Sequence, residues 1–179
     1  MKRLTASVLF GVCMFFFACT EKGTGTAASN DYKAMADSML KTNREMYRAI
    51  ESGDSATISK HIAADAIDHA GGPSGEDLKG DGIVRMLTGL HNDIDNLKFE
   101  VLEEAANENH VFALVHMTGT TNKAVWGMPA GRKMDSRSID LIKINNGKMT
   151  DHWAFFEMAE VMKMMGTGKP AETIIDTAR

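Results

Sequence analysis

Between about residue 30 and residue 90 the apolar positions recur with a helical period; from Asn96 onward they alternate. Tyr32, Met35, Ala36, Met39, Leu40, Tyr47 and Ile50 form the stripe of a helix that Ser29 or Asn30 can cap and that Gly53 ends after Ser52. Asp54 is placed to cap a second helix, Ser55–Ile62. A short strand is expected over Asp65–His69, then a Gly/Pro loop over residues 70–75. Leu78, Ile83, Met86, Leu87 and Leu90 predict a third helix from Glu76 to His91, with Asp81 as an alternative start. Alternation then marks strands over Asn96–Glu104 and His110–Thr121, joined by a turn at residues 107–109. Both faces of the second strand look apolar, which predicts a central position. A loop, Asn122–Gly131, leads to two long strands, Lys133–Ile144 and Lys148–Met158, and a short closing helix, Met158–Met165. Three helices followed by an antiparallel run predict an α+β domain whose curled sheet leaves a cone-shaped hollow under the helices.

The last two strands are joined by Asn145-Asn146-Gly147, residues that accept positive φ. A two-residue turn on Asn146-Gly147 pairs Ile144 with Met149 and sets Asp140 opposite Trp153. A type I turn with Gly147 as a bulge pairs Ile144 with Lys148 and sets Asp140 opposite His152. The two differ by one residue, and one residue exchanges the faces.

The N-terminus changes the picture of where the domain resides. Lys2 and Arg3 precede an apolar run, Leu4–Phe17, too short to span a bilayer comfortably, and then Ala18-Cys19. This is a secretory leader, and Phe16-Phe17-Ala18-Cys19 resembles the box of bacterial lipoproteins, in which the cysteine is acylated. The expected organisation is a signal peptide over 1–18, a flexible tether over 19–30, a folded domain over 31–166 and a tail over 167–179. The expected location is the bacterial cell envelope, on its periplasmic or cell-surface side, with Cys19 as the membrane anchor. Of the two cysteines, Cys13 lies in the leader and Cys19 carries the lipid, so the core alone must hold the fold. Removing Lys2 and Arg3 leaves 18 basic against 24 acidic residues, a net of −6, with no basic cluster. That excludes nucleic acid as an expected partner.

Several stretches then resemble one family in order and spacing. Asp68-His69 precedes the Gly/Pro loop. Gly119-Thr120 is followed by Trp126-Gly127-Met128-Pro129-Ala130-Gly131-Arg132. Asn146-Gly147-Lys148-Met149 leads to His152-Trp153 and Glu157, ahead of Met165-Gly166. From Ala36 to Gly166 the chain resembles the SnoaL-like polyketide cyclases (ester cyclases) of the nuclear transport factor 2-like superfamily. The resemblance implies a conical pocket beneath three helices, a mainly antiparallel curved sheet, a homodimer, and chemistry without cofactor or metal. The general acid/base aspartate of the characterised cyclases maps to Ala154 here, and a histidine of theirs maps to Asp140. Those positions share a cavity face under the bulged turn, which favours that turn.

Candidate chemistry follows. Asp140 and His152 can form a dyad in which the carboxylate orients the ring and the ring moves a proton next to a carbonyl. His69, His116, Trp126, Met128, Ala154 and Phe156 are candidate ligand contacts. Zinc would need His69, His116 and His152 to converge, and no pair of them has local ligand spacing, so no metal is expected. Glu157, Arg132 and Arg137 read as surface groups. Three functions remain open at this point. The first is a lipid-anchored pocket holding a small, largely apolar ligand without the family's acid/base. The second is a cofactor-free isomerase, lyase or cyclase using His152 as base. The third is an interaction module using the outer sheet face.

Overall fold

The computed structural model describes residues 25–72 and 74–165. The expected signal peptide, the anchor at Cys19 and the tail beyond residue 166 lie outside them. Among the described residues no helix is long and apolar enough to cross a membrane.

The order is α1 (Gly25–Ser52), α2 (Ser55–His61), β1 (Ile62–His69), β2 (Leu78–Lys79), α3 (Asp81–Asp93), β3 (Ile94–Ala106), β4 (His110–Thr121), β5 (Lys133–Asn145), β6 (Lys148–Phe156) and α4 (Met158–Met165). The six strands form one sheet in the order β2-β1-β6-β5-β4-β3. β1 runs parallel to β6, and every other neighbour is antiparallel. The fold is thus α+β with a mixed sheet.

Local chemistry explains most boundaries. Asp54 accepts from the backbone N–H groups of Ala56 and Thr57, as an N-cap should. α1 begins at Gly25, ahead of both expected caps. Residues 25–30, expected in the tether, are therefore helical, and Ala27-Ala28 favour that state. Leu78-Lys79, expected inside α3, is instead strand β2 paired with Ile67 and Asp68. Gly80 separates the two elements. It takes φ +43°, donates to the Ala66 carbonyl, and passes so close to the Ala64 carbonyl that a Cβ would lie 2.4 Å from its oxygen. Only glycine fits there, so the helix cannot start earlier.

The hairpin takes the two-residue turn rather than the favoured Gly147 bulge, and an unexpected irregularity at Thr150 then carries Asp140 past both expected registers. Asn146 and Gly147 take φ +50° and +73°, the tight turn, and Ile144 pairs with Met149. A bulge then leaves Thr150 unpaired, and Asp140 ends up opposite Ala154. Turn and bulge together shift the strand by two residues from the favoured register, so the faces are unchanged. Asp140, His152 and Ala154 all point to the concave side.

That side carries the core. Ile50, Ile58, Ile83, Leu90, Leu97 and Met128 pack with strand residues such as Met117 and Met134 in the main buried cluster. β4 buries Val111, Ala113, Val115 and Met117 but leaves Phe112 42% exposed, so its two faces differ despite similar hydrophobicity. The packing leaves a cavity of about 450 Å³ under α1 and α3.

Candidate functional site

Apolar side chains line most of this cavity, among them Met46, Ile50, Met86, Leu87, Phe99 and Met117. Most of its polar groups lie on the strands and on one turn of α1, with His61 added from α2. His152 sits on β6 with its side chain 20% exposed; Asp68 on β1 is 5% exposed. The His152 Nδ1–H donates to Asp68 Oδ1 at 2.8 Å. On the opposite edge of the ring, Nε2 faces Asp140 Oδ2 at 3.9 Å, an ion-pair distance beyond that of a direct hydrogen bond. Asp140 is held in turn. The Tyr47 hydroxyl donates to its Oδ2 at 2.7 Å, and the Ser138 hydroxyl donates to its Oδ1 at 2.9 Å.

The electrostatics follow from this chain of groups. Burial alone would lower the His152 pKa; Asp140 and then Asp68 outweigh it and raise it from 6.5 to about 10. Burial alone would raise the Asp140 pKa. The facing His152 cation, with the Tyr47 and Ser138 hydroxyls, pulls it below the usual 3.8 instead. Burial and the Asp140 charge push the Tyr47 phenol well above its ordinary 10.0. At neutral pH the site therefore holds an imidazolium between two carboxylates, with a protonated phenol beside one of them.

The structure thus brings Asp140 and His152 together, with two corrections. Asp68, not Asp140, orients the ring through a hydrogen bond. And a ring kept charged to about pH 10 stores a proton rather than awaiting one, so it is an acid at neutral pH.

The other candidates divide by strand parity. Trp126, Met128, Ala154 and Phe156 line the cavity. Trp126 does so from a tight turn at φ +48°, closed by backbone bonds between Val125 and Met128. His69 borders the cavity mouth, but its ring stacks on Trp153 at 4.4 Å and reaches Asp151 and Asp77, all on the outer side. His116 does not line the cavity. It alternates with buried Val115 and Met117, points outward, and bonds Asp135 at 2.8 Å. The three histidines do not converge, and among the described residues no group of His, Cys, Asp or Glu is arranged to hold a metal ion. Arg137 and Glu157 are exposed and Arg132 is half-buried; none of the three lines the cavity.

Sequence reasoning passed over Asp68, Tyr47 and Ser138. Asp68 shares the parity of buried Ile62 and Ala66, a signal that was there to be used. Tyr47 was read only as part of an apolar stripe, although a phenol near the end of such a stripe needs a polar partner.

Known proteins bear out the architecture. The model of the SnoaL-like polyketide cyclase family matches residues 41–165. Among curated proteins none matches. Of solved structures, TsrD from Streptomyces laurentii aligns with a TM-score of 0.63 at 16% identity, covering 74% of this chain and 97% of its own. A SnoaL-like polyketide cyclase from Agrobacterium tumefaciens aligns at 0.60 and 13%, covering 72% and 98%. An LEH-like epoxide hydrolase from M. tuberculosis aligns at 0.58 and 10%, covering 74% and 90%. At such identities these likenesses establish the fold. The family match covers most of the folded body, and with it the chain belongs to the SnoaL-like polyketide cyclase family.

Proposed function

We propose that the domain binds a small, largely apolar carbonyl compound in the cavity and moves a proton on it without a cofactor. One observation carries this reading: a charged Asp68–His152 pair, 2.8 Å apart, faces Asp140 across a 3.9 Å gap inside an otherwise apolar hollow. Buried charges cost stability that a passive pocket has no reason to spend. In the step we envisage, the Asp140 carboxylate takes a proton from the carbon next to the carbonyl. The C–H electron pair moves into the adjacent C–C bond and onto oxygen, and His152 Nε2–H gives its proton to that oxygen. The products are an enol, a neutral imidazole and a protonated Asp140. The two transfers reinforce each other, because loss of the imidazolium charge raises the proton affinity of the facing carboxylate. Reprotonation at another carbon makes the enzyme an isomerase; attack of the enol on a second carbonyl makes it a cyclase. Ala154 stands where the family's acid/base aspartate is expected, and Asp140 faces it from the neighbouring strand.

The test is hydrogen exchange at the α-carbon of 2-tetralone in deuterated buffer, followed by NMR. The wild type is expected to exceed the buffer rate, and Asp140→Asn to lose roughly 10²–10⁴-fold of that excess. Exchange at the buffer rate, or equal rates in both proteins, leaves a binding pocket without chemistry. The same reading sets the domain on the cell envelope through an acylated Cys19. It also pairs two copies across the outer sheet face, where Phe112, Ile139 and Phe155 are exposed. Radiolabelled palmitate uptake lost in Cys19→Ser and sedimentation of the soluble domain check these two points.

A further inference from the structure

One polar group in the cavity has no task in the chain of contacts just described. Asn43 lies one helical turn before Tyr47 on α1, so the two side chains share a face. It is 4% exposed, it lines the cavity, and its amide Nδ2 has no hydrogen-bond partner. It stands close enough to the Tyr47 hydroxyl to favour the ionised phenol as a hydrogen-bond donor would, against Asp140, but not at hydrogen-bond geometry. An unpaired buried donor is costly, and native cores rarely keep one without a use. Thr88 and Ser136 also bury an unpaired hydroxyl, but neither lines the cavity. A second feature concerns charge. Among the described residues no Lys or Arg lines this hollow, and His152 is held cationic there against the carboxylates of Asp68 and Asp140. An anionic ligand would enter against that balance; a neutral oxygen would meet a waiting N–H.

We infer that Asn43 is a ligand-orienting residue whose Nδ2–H donates to the carbonyl oxygen of an uncharged, apolar ligand, beside the Tyr47–Asp140 contact. This rests on the cavity being the ligand site, as proposed above, and adds the residue and the ligand class.

Three naphthalene probes of nearly equal shape test it by fluorescence titration: 2-acetylnaphthalene, the hydrocarbon 2-isopropylnaphthalene, and 2-naphthoate. The ratio of ketone to hydrocarbon affinity is expected to fall about tenfold from wild type to Asn43→Leu, the worth of one satisfied donor. Asn43→Leu is expected to unfold at the same urea concentration as wild type or a higher one, because it removes an unpaired buried group. A merely structural asparagine would show the reverse: lower stability and an unchanged ratio. Asn43→Ala provides the same ratio should the leucine variant not fold. Naphthoate is expected to bind the wild type at least tenfold more weakly than the ketone. An unchanged ratio in both variants overturns the role of Asn43, and naphthoate binding as tightly as the ketone overturns the ligand class. If none of the three probes binds the wild type, the cavity reading itself falls and takes this one with it.

Discussion

Two Asp-His dipeptides, Asp68-His69 and Asp151-His152, lie on the parallel neighbours β1 and β6 and meet with an offset of one residue, Asp68 beside His152. Alternation then sends one Asp–His pair to each face of the sheet. On the concave side Asp68 and His152 are 2.8 Å apart, with side chains 5% and 20% exposed. On the outer side His69 and Asp151 are 3.4 Å apart, 28% and 22% exposed, under the stacked Trp153 ring and next to Lys143. The residue types are identical. Each ring has two carboxylates within 4 Å, Asp68 and Asp140 for His152, Asp151 and Asp77 for His69; what separates the pairs is that Asp140 is buried where Asp77 is exposed, and the depth at which the inner ring sits. Burial makes the inner pair an electrostatic device, because a charge withdrawn from water depends on its partners; the outer pair keeps water as an alternative.

Removing each ring is the most direct way to break this comparison. His152→Ala leaves Asp68 and Asp140 buried without their cation and is expected to cost about 3–5 kcal/mol in urea unfolding. The pH dependence sharpens it. The His152 pKa is raised on folding from 6.5 to about 10, so its contribution is fully present below pH 6.5 and fades as pH climbs through about 10. Asp140 is shifted below 3.8, so its contribution holds above that pH and is lost on further acidification. From these two groups, stability is greatest between pH 3.8 and 6.5. His152→Gln should abolish the alkaline decline between pH 6.5 and 10, whereas His69→Ala should leave it intact. An alkaline limb unchanged in His152→Gln would assign the decline to other groups.

A smaller effect is expected from Gly71, which backs the inner pair. Gly71 passes Asp68 so closely that a Cβ would stand 2.5 Å from the carboxyl carbon and from Oδ2. Gly71→Ala must therefore displace Asp68 from His152, at roughly 1–3 kcal/mol by the usual cost of overpacking. The specific readout is the His152 ring proton in NMR titrations, whose midpoint should move down from about 10. A midpoint that holds in Gly71→Ala would show that Asp140 alone keeps the ring charged.

Most of this fold was legible from period and turn chemistry. β4 and α4 have the expected ends; alternation alone left two parities for β6 against β5, and the family resemblance favoured the one that puts Asp140 and His152 on one face, as they are here. Asp68 as the partner of His152 was not legible, because local pattern carries no trace of parallel pairing between β1 and β6, which lie some eighty residues apart. His116 shows the complementary failure. Both faces of β4 are rich in apolar side chains, so hydrophobicity could not say which one points to the helices. Only the exposure of Phe112 opposite buried Val111 and Ala113 does. Asn43 and Tyr47 sat unnoticed in a helical stripe for a similar reason: periodicity reports which face is buried, not what the buried polar groups meet there.

The least expected change is the one that isolates the outer pair. His69→Ala removes an interaction that water already weakens, along with a ring stacked at 4.4 Å on Trp153. Exposed ion pairs of this kind contribute about 0–1 kcal/mol, and an aromatic stack adds about 0.5–1.5 kcal/mol. His69→Phe separates the two, since it retains the stack and removes the ring nitrogens that reach Asp151 and Asp77. It should lie within about 0.5 kcal/mol of the wild type, with His69→Ala below both. The pairing of β1 with β6 must survive in each, because the inner Asp68–His152 bond is the stronger clamp on that register. A loss in His69→Phe approaching that of His152→Ala would mean that the outer pair, too, is shielded from water, and that the two faces of this sheet differ less than their exposures imply.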